Sequence, residues 1–461
     1  SPSAWEPFSQ MPKVASHQME WVDLYGEGLP GLLYQQHDHW RYREPLRGKP
    51  NSEQVVYGEG QLLPAMPVLN GTSRQSLSDL TGDGRLDWVI AQPAMSGFFS
   101  MAPNRSWTGF SAFDSIPLDF FNDKAHQADL MGAGLADLAV IGPRSIRLYA
   151  NQRSDGFGAA HEVARSADED NLPVFSHSKQ ELVAFSDLLG SGQQHLVRIR
   201  HNEIKVWPNL GRGRFGKGRV LRWPGRARES FDASRIRLAD LDGSGAADLI
   251  YLTAEHALIF SNRAGHGFDS AVTLAWPENW RFDDLCRVDL VDTRGLGCSS
   301  LVIHAPGHSP HHWRYDFVQH KPYLLTTSNN NMGQSTSIAY RSSAQEWLDE
   351  KTERMKGNKV DLTCHLPFAL HLVRSQTQRD EITENQLTQR FSYRQGYYDS
   401  KERQLRGFGL LIENSSEALS SADLMPPGRT RQWFHTGQPG EPSRRGYDAS
   451  DKDAQRLGKV Y

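Results

Sequence analysis

The chain has 461 residues, of which 38% are hydrophobic, 10% aromatic and 23% charged, with 40 Gly and 24 Pro; this excludes wholesale disorder and fits a turn-rich folded protein of about three domains, or one large repetitive domain with an addition. Lys plus Arg number 51 against 54 Asp plus Glu, a net charge of −3, so no global field draws the protein to nucleic acid or an anionic membrane. No run of 18 apolar residues occurs, and Ser1–Lys13 does not read as a signal peptide, so the chain is expected to start mid-protein.

A repeat dominates the first two thirds. Short apolar runs end in Asp-Leu at Asp23, Asp79, Asp129, Asp187, Asp240 and Asp289, with spacings of 56, 50, 58, 53 and 49 residues. A Gly-rich turn follows each, then a β-type run such as Trp88-Val89-Ile90, Leu138-Ala139-Val140-Ile141 or Leu249-Ile250-Tyr251-Leu252. Three copies close alike, on Asn151 with Phe157, Asn209 with Phe215 and Asn262 with Phe268; the Asn suits a tight turn and the Phe can pack between neighbouring sheets. About 50 residues with four short strands make one propeller blade. The fold class is therefore all-β: a six-bladed propeller over residues 1–320, its six aspartates in equivalent places. The first copy has few residues before Asp23, so ring closure is expected to borrow a strand from beyond Arg314.

The second turn offers oxygens at positions 1, 3, 5 and 9 through Asp79, Thr81, Asp83 and Asp87, and the fifth through Asp240, Asp242, Ser244 and Asp248. With Gly at position 6 this is the donor pattern of a calcium loop. The remaining turns lose it, with Met131 and Ala133 in the third, Leu189 and His195 in the fourth, Tyr25 and Gly31 in the first, and no register in the sixth. The alternative is structural: Asp at position 1 accepts from turn amides as an Asx-turn does. Calcium, if bound, is expected only at the second and fifth turns.

Seven cations and no acid lie between Arg212 and Arg228, namely Arg212, Arg214, Lys217, Arg219, Arg222, Arg226 and Arg228. Their place beside the Asn209 turn reads as a solvated rim or as an electrostatic docking face, for which Arg212, Arg214, Lys217 and Arg219 are the candidates. His304, His308, His311 and His312 cluster without a carboxylate at ligand spacing, which favours blade packing over a metal. Cys286, Cys298 and Cys364 lack CxxC spacing and read as free thiols, a Cys286–Cys298 bridge being the alternative. No nucleophile elbow, zinc-protease or phosphate-loop motif is present, so no enzyme is expected.

From residue 321 the period ends, and 321–461 reads as a second, β-rich region. Ser335–Tyr340, Phe368–Gln376 and Arg390–Tyr393 read as strands, with Tyr397–Asp399 as a turn. Ser343-Ala344-Gln345-Glu346 reads as a capping box before a short helix, Glu346–Met355, ended by Lys356–Lys359. Residues 426–461 read as loop or shell fragment.

The repeat resembles the FG-GAP or VCBS repeat of integrin-type and bacterial toxin propellers. Together with Asn329-Asn330-Asn331-Met332-Gly333, Leu366-Pro367-Phe368 and Arg406-Gly407-Phe408-Gly409, it resembles the middle region of the B subunit of insecticidal Tc toxin complexes. That resemblance implies a propeller docked on a pentameric translocation (A) subunit, gating passage of a toxic polypeptide. It also implies the start of a Rhs/YD-repeat shell closed with a C subunit, and export as part of a bacterial toxin complex. The competing reading is a propeller lectin or adhesin binding glycans in inter-blade pockets.

Overall fold

The computed structural model describes residues 4–438 except 9–10, 13, 15–17, 38, 50–51, 65–73, 93–94, 115, 123–124, 143–144, 165–171, 175–177, 306–309, 358–360 and 419–427. His308, Asn358, Lys359, residues 426–427 and residues 439–461 of the sequence reading thus lie outside the described residues. Contacts divide the chain into two units: Ser1–Tyr25 with Leu29–Tyr323, and Gly26–Gly28 with Leu324–Tyr461.

The first unit holds six four-stranded antiparallel sheets, one per repeat. Blades 2 to 5 each run through four consecutive strands: Arg74–Ser78, Asp87–Gln92, Met95–Phe99 and Ser111–Ala112; Ala125–Ala128, Asp137–Ile141, Ser145–Asn151 and Phe157–Ala164; Glu181–Ser186, His195–Arg200, Ile204–Trp207 and Arg219–Leu221; Ile236–Ala239, Asp248–Leu252, His256–Phe260 and Val272–Ala275. The second strand is the most buried, wholly so in Asp137–Ile141, Asp248–Leu252 and Ser300–His304, because both its faces are covered. The fourth strand is exposed, as in Val272–Ala275.

Blade 1 is complete in itself, with Met19–Val22, Gly31–Gln36, His39–Arg43 and Gln61–Leu62, and it carries an inserted hairpin, Pro45–Arg47 with Val55–Tyr57. The expectation of a borrowed strand in blade 1 is therefore corrected. It is blade 6, with Arg287–Val291, Ser300–His304 and His312–Tyr315, that lacks a fourth strand, and Glu6–Pro7 supplies it by pairing with Arg314 and Trp313. Closing the last sheet with the N-terminal segment joins the two ends of the ring by strand pairing and leaves only the short edges of the individual blades.

Apolar clusters fill the seams. Leu188, Val197 and Val206 of blade 4 pack with Leu249, Tyr251 and Phe268 of blade 5, while Leu80 and Val89 pack with Leu138 and Phe157 across the seam between blades 2 and 3. At the closing seam Phe8 and Met11 meet Met19, Trp21 and Leu32. Arginines on the first strands stitch neighbouring blades together: Arg237 donates to Val288 O (3.3 Å) and Arg287 to Met19 O (2.6 Å).

The second unit is one antiparallel sheet in the order Thr327–Asn329, Gln334–Ser342, His371–Asp380, Gln386–Asp399, Gln404–Ala418 and Gly428–Trp433, with a helix, Ser343–Lys356. Two sequence expectations are corrected here. The helix is capped by Ser342, whose hydroxyl accepts from Ala344 N, and not by a box on Ser343; Ser343 Oγ instead accepts from Leu370 N at 2.8 Å. Tyr397–Asp399 remains in the strand, with a bulge between Tyr397 and Tyr398, because the partner strand continues to Gln404.

Candidate functional site

In five of the six blade turns the carboxylate at position 1 gathers the turn amides. Asp79 accepts from the N–H groups of Gly82 (2.7 Å), Asp83 (3.0 Å) and Gly84 (2.8 Å). Asp129 repeats this with Gly132, Ala133 and Gly134, and Asp187 with Ser191 and Gly192. The glycines at positions 4 and 6 have positive φ in all six turns, for example 74° at Gly82 and 88° at Gly84, a geometry in which a Cβ is strained.

This geometry corrects the sixth turn. Its clamp is Asp292, which accepts from Arg294, Leu296 and Gly297, with Gly295 and Gly297 at positive φ. Asp289 lies three residues earlier, inside the strand Arg287–Val291, paired to Arg287 at 2.9 Å. The Gly-x-Gly pair was the signal that would have set the register; Val288-Asp289-Leu290 only imitates the Asp-Leu signature.

Position 9 forms a second latch. Asp137 accepts from Leu130, Met131 and, fourteen residues on, Asn151; Asp248 accepts from Leu241 and Asn262. In blade 4 the same place is held by His195, whose Nδ1 accepts the Asn209 N–H at 3.0 Å. An acceptor Nδ1 puts the ring proton on Nε2, which faces Ser191 Oγ at 2.8 Å. The imidazole therefore does the work of a carboxylate. The closing Asn side chains then reach the preceding blade, Asn209 donating to Asp129 O (3.3 Å) and Asn262 to Leu188 O (2.9 Å).

Among the described residues, one group of three carboxylates comes within metal-sharing distance, Asp240, Asp242 and Asp248, with ligand oxygens within 4.8 Å of one another. Asp248 is pushed up to about 6, chiefly by burial, despite its two amide donors. In the second turn Asp83 turns away to Arg85 at 2.6 Å, and Asp87 accepts from Thr81 N and Ser100 Oγ. Asp79 there is pushed up to about 6 by burial and by the charge of Asp83. Ser244 Oγ is buried without a partner beside the fifth-turn acids. The segment leaving blade 6 passes this turn: Tyr323 donates to Asp242 Oδ2 at 3.4 Å and Lys321 to Gly297 O at 3.3 Å.

The basic run is spread over the edge of blade 4 and is not one patch. Arg212, Arg214, Lys217, Arg219, Arg222 and Arg228 are exposed. Arg212 N donates to Met131 O, at the end of the ring that carries the Asp turns, whereas Arg226 N donates to His201 O, in the turn between the second and third strands at the other end. Arg226 stacks on Tyr251, 4.9 Å from the ring centroid. Of the histidine cluster, buried His304 and His312 bond each other, Nδ1 to Nε2, at 2.5 Å, which leaves no room for an ion between them. Burial and His304 push His312 down to about 3. All three cysteines are free.

A closed six-bladed ring of degenerate Asp–Gly turns, followed by a long-stranded sheet, defines a repeat-built propeller protein with a sheet extension. The family described as insecticide toxin TcdB middle/N-terminal region matches residues 260–437. The chain is similar to a chain of the Photorhabdus luminescens Tc holotoxin pore carrying a TccC3 mutation, at 43% identity and a TM-score of 0.87, over 95% of this chain and 20% of that one. It is similar, too, to the TcdB2–TccC3 structure without the hypervariable C-terminal region (42%, TM-score 0.73, 95% and 20%) and to TcdB2–TccC3–Cdc42 (41%, TM-score 0.73, 95% and 20%). No curated protein matches. The chain belongs to the B-subunit family of insecticidal Tc toxins, and it spans about a fifth of the length of the relatives it matches.

Proposed function

We propose that this chain is a non-enzymatic assembly and gating component of a secreted bacterial Tc-type toxin complex. Its propeller docks on a pentameric translocation subunit and controls passage of a toxic polypeptide. Its second unit opens the Rhs-type shell shared with a C subunit. The observation that carries this reading is the likeness across 95% of the chain, both units included, to part of an assembled holotoxin pore.

Docking draws on exposed cations of blade 4, and because these lie at both ends of the ring, paired charge reversals discriminate the ends. Arg212→Glu with Arg214→Glu alters the end bearing the Asp turns; Arg226→Glu with Arg228→Glu alters the other. Capture of the translocation subunit should fall, and its salt dependence shrink, for one pair alone. Equal capture by both doubly reversed proteins, with Lys217 and Arg219 reversed in addition, would remove the basic edge from the interface.

Calcium is the cation whose chemistry fits the fifth turn, where Asp240, Asp242 and Asp248 supply hard oxygen donors beside Ser244. The donor set of the second turn, Asp79, Thr81, Asp83 and Asp87, fits less well because Arg85 holds Asp83.

A further inference from the structure

The ring is closed by a strand of two residues. Glu6–Pro7 pairs with Arg314 and Trp313, and Phe8 N donates to His312 O at 2.9 Å. The ion pair of Glu6 with Arg314 (2.6 Å) adds little, because the Glu6 side chain is 63% exposed. His312–Tyr315 lies between Ser300–His304 and this closing strand, so whatever separates His312 from His304 also removes the support of the closing strand.

Two bases meet at that point. His304 and His312 are register partners, 2% and 3% exposed, with Nδ1 of the first 2.5 Å from Nε2 of the second. Such a contact is a bond only while one nitrogen carries the proton and the other accepts it. The surroundings favour the neutral pair. Burial is the main cause that holds both rings below the ordinary histidine value; His311 presses both the same way and Arg287 adds to it at His304, against the Val14 carbonyl and Asp289. Asp289 is already paired to Arg287 at 2.9 Å, and Arg314, on the strand of His312, to Glu6 and Asp316. A first proton therefore places a cation among engaged charges and away from water. A second would set N–H against N–H.

We propose that the His304–His312 pair is an acid-operated catch on the ring: proton uptake parts His312–Tyr315 from Ser300–His304 and releases the closing strand Glu6–Pro7. The proton comes from solvent, and each freed imidazole holds it in water. The contribution of the neutral pair to closure is complete above the free histidine value near 6.5 and is lost as pH falls below it.

Hydrogen exchange at the Phe8 amide of the full chain reads the catch, as a protection factor corrected for the intrinsic pH dependence. Between pH 7.5 and 5.0 that factor should fall about thirtyfold for each proton taken up on release, the ratio that a free histidine value near 6.5 sets. Val140, in blade 3, should keep its protection. In the double variant His304→Gln, His312→Gln the fall at Phe8 should be under about threefold, because two amides can bond without titrating. Glu6→Cys with Arg314→Cys, at facing register positions, locks the closure by a disulfide and decides the matter alone if the glutamine variant melts early. Oxidised, this protein should keep Phe8 protected at pH 5.0; reduced, it should lose the protection. Equal Phe8 protection at the two pH values in the parent, an equal fall in parent and glutamine variant, or an equal fall in the oxidised and reduced cysteine protein overturns the proposal.

Discussion

In the turns of the propeller a buried carboxylate is answered by backbone N–H groups, whereas Glu44 of blade 1, outside the turns, is held by Arg105; in the second unit a buried carboxylate is answered mainly by guanidinium and ammonium groups. Asp137 takes three main-chain amides and no cation, while Glu346 takes two arginines and one amide. The difference follows from sequence distance. A blade turn closes within nine residues, so its amides are always at hand and the device can be repeated six times. The helix and sheet of the second unit meet across tens of residues, where only long cationic side chains and edge amides reach. Local latches tolerate decay one blade at a time; a nonlocal charge network does not.

The largest test of this contrast is the pair Glu27–Lys351, both 1% exposed, with Nζ to oxygen distances of 2.7 and 2.8 Å. Lys351→Met leaves Glu27 buried and without its ammonium partner and should cost about 3–5 kcal/mol. Thermal unfolding should show the loss, and Glu27→Gln in the same background should recover part of it. A Lys351→Met protein that melts like the parent would mean that water reaches the pair.

A smaller loss is expected in the propeller, because the partners there are neutral. Asp137→Ala orphans the amides of Leu130, Met131 and Asn151 and should cost about 2–3 kcal/mol. Hydrogen exchange should speed up at those three amides while blade 5 is unaffected. Loss of protection in every blade would show that the ring, and not the turn, is the unit of stability.

What was legible in the sequence were the features that backbone geometry enforces. Asp at position 1 and Gly at 4 and 6 cannot be exchanged freely, since positive φ at residues such as Gly82, Gly134 and Gly297 suits glycine, so the six-fold repeat shows through weak similarity elsewhere. The closing phenylalanines sit where expected, Phe157, Phe215 and Phe268 each packing at a seam. The misreadings arise where a rule has a local imitation. Asp289 mimicked the clamp, and Ser343 mimicked the cap one residue late. The closing strand Glu6–Pro7 is too short to show any period, and a long-range carboxylate–amide match such as Glu350 to Gln395 has no signature in a single sequence. The exposed cations of blade 4 were visible, but their division between two ends of the ring depends on strand direction.

Calcium should produce a smaller effect still. For a loop with a Kd of about 0.1–1 mM, 1 mM calcium stabilises by about 0.4–1.4 kcal/mol. Calorimetry with calcium and with chelator should show this shift in the parent and not in Asp242→Asn, while Asp83→Asn in the second turn should keep it. A chelator effect that persists in Asp242→Asn would move the ion to another turn.

The smallest expected effect isolates the imidazole latch of blade 4. Burial holds His195 below the ordinary histidine value, with Asp187 pulling the other way. The unfolded chain takes up the proton near pH 6.5 and the folded chain resists it, so the stability due to neutral His195 is complete above that pH and is lost as pH falls through it. Protonation would also turn Nδ1 from an acceptor into a donor facing the Asn209 N–H. The carboxylates Asp79 and Asp248, raised to about 6, run in the opposite sense: their favourable protonation in the folded state is felt at low pH and lost as pH rises through about 6. A simple melting curve against pH mixes the two signs, and His304 and His312 add to the histidine side. Comparison with His195→Asn separates them, because an amide oxygen can accept from Asn209 N without titrating, and all other groups cancel between the two proteins. Between pH 7.5 and 5.0 the parent should lose about 0.5–1 kcal/mol more than His195→Asn, read from paired thermal melts. Parallel curves would show that folding leaves the proton affinity of His195 unchanged, so that blade 4 is latched as firmly in acid as the blades that carry aspartate.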